Sequence, residues 1–120
     1  MLVYRVENAE CQGPYIGREY YSRVDTRDDK VNQRHANMKT HPCPSADGLF
    51  LERYDYCAFD SMKKLQKWFK GDIRWLKMNK FHVSVYEIEP EKVKVGRRQV
   101  LFQMRYANLV NITDFRGNQL

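Results

Sequence analysis

One stretch of this 120-residue chain repeats its apolar residues at helical spacing between a start signal and a stop signal. In DSMKKLQKWFKG, residues 60–71, Met62, Leu65, Trp68 and Phe69 fall on one face, as a helix with a single buried side requires. Asp60 or Ser61 can accept the free amide hydrogens at its start, and Gly71 is placed to stop it. Asp72 can then cap a second short helix, IRWLKM, ended by Asn79. So short a helix pair buries one stripe, and the rest of the core has to come from residues that alternate.

Alternation is found in several places. LVYRVE, residues 2–7, sends Leu2, Tyr4 and Val6 to one face and Val3, Arg5 and Glu7 to the other, which is strand spacing. Its second face puts a guanidinium in the middle of a sheet, where a charge needs a partner or a cleft. A short strand is expected around Tyr54 to Ala58. FHVSVYEI, residues 81–88, points Phe81, Val83 and Val85 inward, with its phase blurred at Tyr86. VKVGRR connects it, turning at Gly96, to QVLFQMRY, where Val100, Phe102 and Met104 share a face. Leu109 to Ile112 fits a short strand or a helix equally well. QGPY, residues 12–15, reads as a turn. Residues 18–40 read as a long polar surface segment with one weak helical turn at 32–38. The order predicts one α+β domain over residues 1–120, a mostly antiparallel sheet with the helix pair, about 61–79, packed on one face.

The net charge of +6 is local. Residues 61–80 hold seven bases and one acid, while the other hundred hold fourteen of each. Lys63, Lys67, Lys70, Arg74 and Lys77 recur every three or four residues, so one continuous helix would carry them as a stripe, but Gly71 and Asp72 interrupt it; with Lys64 they are the candidate partner-binding residues. Two readings stay open: a solvated helix face, or a surface for an anionic partner, either nucleic acid or an acidic protein face. Among nearby aromatics Trp68 and Phe69 lie on the core side, leaving Trp75 as a free stacking surface. The sequence has no long apolar run and no basic-then-apolar start, so neither a membrane span nor a signal peptide is expected. Three cysteines without framework spacing read as reduced thiols in a cytoplasmic protein.

THPCPSADG, residues 40–48, packs reactive side chains closely. Zinc would want four soft ligands, and His35, His41, Cys43 and Cys57 are scattered with no Cys-x-x-Cys, so no metal is expected. Only closeness in sequence nominates His41 as a base for Cys43. Two prolines followed by Ser-Ala-Asp-Gly describe a rigid turn instead. His82 reads as a surface residue on the outward strand face, and Glu87, Glu89 and Glu91 as solvated acids.

YRVE near the start, GPY, HPCPSADG, YCAFDSMKKLQKWF and FHVSVYEI followed by VGRRQVLF together resemble a group of small, largely uncharacterised proteins of bacteriophages and prophages. That resemblance implies an accessory or inhibitor protein, non-enzymatic and without a cofactor, acting on a host system in the host cytoplasm through the basic surface. The same order is more distantly similar to the core of ADP-ribosyltransferases. This second resemblance implies an NAD-type nucleotide in a cleft of Arg5, Tyr15, His41, Tyr56, Ser61 and Gln99, with Asp47 also at its mouth. Arg5 would orient the nucleotide, and Ser61 would enter the helix beside the aromatics. Gln99, directly before Val100-Leu101-Phe102, stands where that family has its catalytic acid. An amide hydrogen-bonds a ribose but brings no negative charge to a developing cationic sugar, so transfer would be weak.

Overall fold

A computed structural model describes residues 1–14, 41 and 43–120 of the chain. Its strands are β1 (Leu2–Glu7), β2 (Asp55–Ala58), β3 (His82–Glu87), β4 (Val93–Val95), β5 (Val100–Gln103) and β6 (Asn108–Thr113). Helices α1 (Met62–Trp68) and α2 (Ile73–Met78) lie between β2 and β3. The fold is α+β and its strand pairs are antiparallel, as the spacing predicts. In place of one sheet there are two of three strands, ordered β1-β3-β6 and β2-β5-β4. They meet where Tyr4 and Phe59 exchange both backbone hydrogen bonds, at 2.8 and 2.9 Å.

The helix pair covers one face of the first sheet. Leu65, Trp68, Phe69 and Leu76 pack with Val6, Val83, Phe59 and Phe115 in one core. Ser61 accepts the Lys64 amide at 3.1 Å to start α1. Beyond its end Gly71 takes φ +92°, a conformation open to glycine without strain. Asp72 occupies the cap position of α2 but makes no capping bond with its side chain, a departure from the expected role.

The opposite face of the same sheet is also buried, and this explains the blurred phase at Tyr86. Val3 and Tyr86, paired in register, pack with Ala58, Ile88, Val93, Val100 and Phe102. Val83, Ser84, Val85 and Tyr86 are all buried, so β3 has no outward face over that run.

Residues 109–112 resolve as strand. The register skips from Val85 opposite Asn111 to Tyr86 opposite Leu109, leaving Val110 as a bulge on the edge. The connector VKVGRR contains β4, which turns back to β5 through Gly96.

Candidate functional site

Arg5 fulfils the expectation that a guanidinium in mid-sheet must find a partner. Its side chain is only 11 % exposed. Nε donates to Glu7 Oε2 at 3.1 Å and Nη1 to the Cys57 carbonyl at 2.8 Å. The guanidinium lies 5.0 Å from the centroid of the Tyr56 ring. Gly13 approaches so closely that a Cβ there would sit 3.1 Å from Nη2. The residue therefore ties β1 to β2 where the two sheets meet.

Sequence reasoning left three members of this cluster unassigned or misplaced. Glu7, 2 % exposed, accepts from Arg5 on one oxygen and from the Tyr86 hydroxyl on the other. Burial, and then the hydrogen bond to Glu7, push the Tyr86 hydroxyl above its ordinary range, so it stays protonated and donates. His82, expected at the surface, is half-buried opposite Glu7 in register, with Nε2 3.1 Å from Ser84 Oγ. Burial holds its pKa below the ordinary value against the opposing pull of Glu7. The signal for Glu7 was present: it shares the alternating face of Arg5, and a buried cation calls for a buried anion. Partners from residues 56, 82, 84 and 86 depend on strand register and could not be read locally. Chemically the cluster is closed, since Arg5 and Glu7 satisfy each other and Ser84, beside its imidazole, is 1 % exposed.

Of the six residues expected to line a cleft, Arg5 and Tyr56 come together. Tyr15 lies outside the described residues, as do His35 and the turn at 32–38. Ser61 is engaged as the cap of α1. His41 donates through Nε2 to the Trp68 carbonyl at 2.6 Å, its ring edge-on to the indole at 4.8 Å. Gln99 is buried in the β4–β5 turn, its backbone N–H donating to Asp47 Oδ2 at 2.9 Å.

Within the described part of THPCPSADG, Asp47 is tied to the β4–β5 turn. Its buried carboxylate accepts the backbone amides of Arg98 and Gln99, all at 2.9–3.1 Å. Pro44–Asp47 form a 3₁₀ turn closed by Gly48 at φ +80°. The loop is a brace for the second sheet. Cys43 is exposed, and a hydrogen bond with Ser45, then one from the Ala46 backbone, hold its thiol below the ordinary range. No group of three or more potential metal ligands gathers among the described residues.

Lys63, Lys67, Lys70, Arg74 and Lys77 are exposed, and none forms an ion pair with another described residue. Lys64 differs, being half-buried and bound to Asp60 at 3.0 Å. Trp75 is not a free stacking surface: it is half-buried and stacks on Phe81 at 6.2 Å. No helix among the described residues is long and apolar enough to cross a membrane.

The described residues form a small α+β fold of two three-stranded antiparallel sheets with a helix pair. Comparison with known proteins supplies its family. Residues 1–116 match the family described as Bacteriophage T4 Y00F protein, and the chain belongs to that family. It is also similar to a protein of Enterobacteria phage T4 described as an uncharacterized 19.7 kDa protein in the motB-dexA intergenic region. The two are 36 % identical over 63 residues, which is 52 % of this chain and 37 % of the T4 protein. No solved structure matches. The phage resemblance read from the sequence is thus supported, while the ADP-ribosyltransferase resemblance finds no support in these comparisons.

Proposed function

We propose that this chain is a non-enzymatic phage accessory protein that acts in the host cytoplasm by binding the phosphate backbone of nucleic acid through Lys63, Lys67, Lys70, Arg74 and Lys77. One observation carries the reading: these five cations are exposed and none forms an ion pair with a described carboxylate, Asp114 acting on Lys77 only at longer range, and they lie on or between two helices whose other side is fixed in the core. Lys63 and Lys67 lie one turn apart on α1, whose buried positions fix them, and Lys70 follows in the turn just after its end. A fixed cationic row releases counterions when it meets phosphates, which gives affinity without sequence readout. Modulation of a host system through such contacts fits a phage family.

The test is binding to a labelled DNA duplex over a range of salt concentrations. If about five phosphates are neutralised, the logarithm of affinity falls against the logarithm of salt with a slope of roughly −4.5. Reversing Lys63, Lys67 and Lys70 to Glu should abolish binding and leave the circular dichroism spectrum unchanged. Unchanged affinity in that variant overturns the reading. Binding to a polyglutamate but to no nucleic acid assigns the surface to an acidic protein instead.

A further inference from the structure

A turn that follows β6 brings one more exposed cation to the helix pair. Residues 114–118 close on themselves, the Asp114 amide donating to the Asn118 carbonyl at 2.9 Å. Asp114 Oδ1 accepts the backbone amides of Arg116 and Asn118 at 2.9 and 2.8 Å. An aspartate that gathers the amides of the residues after it fixes the shape of a turn.

Packing and a hydrogen bond set that turn against α1. Phe115 is buried in the core that α1 and α2 share. Its carbonyl accepts from Gln66 Nε2 at 2.9 Å. A Cβ on Gly117 would lie 3.8 Å from Met62 Cε. Gln66 comes three residues after Lys63 on α1, and positions at that interval are neighbours on a helix surface. The turn therefore runs beside the basic side of α1. Arg116, between the anchored Phe115 and Gly117, is exposed and forms no ion pair with another described residue. The turn also approaches α2. The Asn118 amide, then that of Arg116, hold the Asp114 carboxyl below its ordinary value, and Lys77 pulls it the same way at longer range.

We propose that Arg116 is a further phosphate contact, and that the 114–118 turn is a third element of the nucleic-acid surface beside α1 and α2. The inference rests on the nucleic-acid reading above and adds to it a residue from outside the basic segment 61–80. A guanidinium presents its donors as a planar fork that matches phosphate oxygens, which an ammonium does not. Anchoring of the turn on both sides of Arg116 holds the root of that side chain in place. Asp114 is the acid that the same turn carries to the surface. Its charge opposes a phosphate and competes for Lys77, so removing the charge alone should strengthen binding.

The experiment measures anisotropy of a labelled DNA duplex with the full chain over a range of salt concentrations. Arg116→Ala should make the slope of log affinity against log salt shallower by roughly 0.9, about an eightfold loss near 0.1 M salt when affinity near 1 M is kept. Its melting temperature should not change, because the side chain is exposed and alanine keeps the amide that Asp114 accepts. Arg116→Lys should regain most of the affinity, since the charge is retained. Asp114→Asn keeps the oxygen that holds both amides and should tighten binding roughly twofold, as one screened repulsion is lost. Arg53→Ala removes the same charge before β2, at the end of that strand away from α1, and should bind like the wild type. Equal losses in Arg53→Ala and Arg116→Ala overturn the assignment, because net charge and not position then decides affinity. Wild-type affinity and slope in Arg116→Ala overturn it too, and the basic-face reading stands if reversal of Lys63, Lys67 and Lys70 still abolishes binding. Unchanged binding in the lysine-reversed variant, or a wild type that binds no duplex, overturns both.

Discussion

Gly96 has no room for even one more carbon. A Cβ there would lie 2.5 Å from Asp47 Oδ2, 2.8 Å from the Asp47 carbonyl oxygen and 2.9 Å from Leu49 Cδ1. Backbone oxygen cannot swing aside as a side chain can, so Gly96→Ala should cost about 1–3 kcal/mol in denaturant unfolding. Asp47→Ala should cost a similar amount, about 1–3 kcal/mol, by stripping acceptors from the buried turn. Asp47→Asn, which keeps one acceptor oxygen, should fall between that variant and the wild type. His82 and Asp55 both contribute to the response to acid. Burial depresses the His82 pKa in the folded chain, so the unfolded chain takes the proton first. Stability is therefore full above the unfolded value, near the ordinary 6.5, and declines as pH falls through it toward the lower folded pKa. Burial works to raise the Asp55 carboxyl, but its hydrogen bonds, led by Lys94, hold it below 3.8, so its contribution is lost further down, as pH falls from about that value. Melting temperature against pH should accordingly lose its near-neutral slope in His82→Asn and keep its acid limb.

At the scale of elements, Ser61 shows how one hydroxyl can be assigned. As a helix cap, its replacement by alanine should cost about 1 kcal/mol, and Ser61→Asp should recover most of that. A ligand contact at Ser61 would move affinity and leave the melting temperature alone. Helix α1 was fully legible in the sequence because cap, apolar stripe and stop all lie within twelve residues. Strand β3 was legible as a strand but not in its surroundings, because a run buried on both faces loses the alternation that tells inside from outside. Residues 109–112 were ambiguous for a related reason. The bulge at Val110 breaks the period of two, and Leu109 and Val110 are both exposed.

For the molecule as a whole, the joint between the two sheets depends on Arg5 and Glu7. Arg5→Ala leaves Glu7 buried without its cation and should cost about 3–5 kcal/mol. Replacing both together, as Arg5→Met/Glu7→Leu, should be far less harmful than the single change, because no charge is then stranded. A double variant no more stable than Arg5→Ala would show that the pair does not act as a unit, and a denaturant-melt cycle decides it. The sequence by itself determined the helix pair, the antiparallel α+β class, the concentration of charge in residues 61–80 and the need of Arg5 for a partner. Each of these depends on spacing along the chain or on the cost of burying a charge. Tertiary structure alone decided that the sheet divides in two, that Glu7 and Tyr86 answer Arg5, that Asp47 braces a turn fifty residues away, and which aromatic rings stay in water. Those outcomes depend on register between distant strands, and register is set when both faces of a sheet find their cover, which no local stretch of sequence specifies.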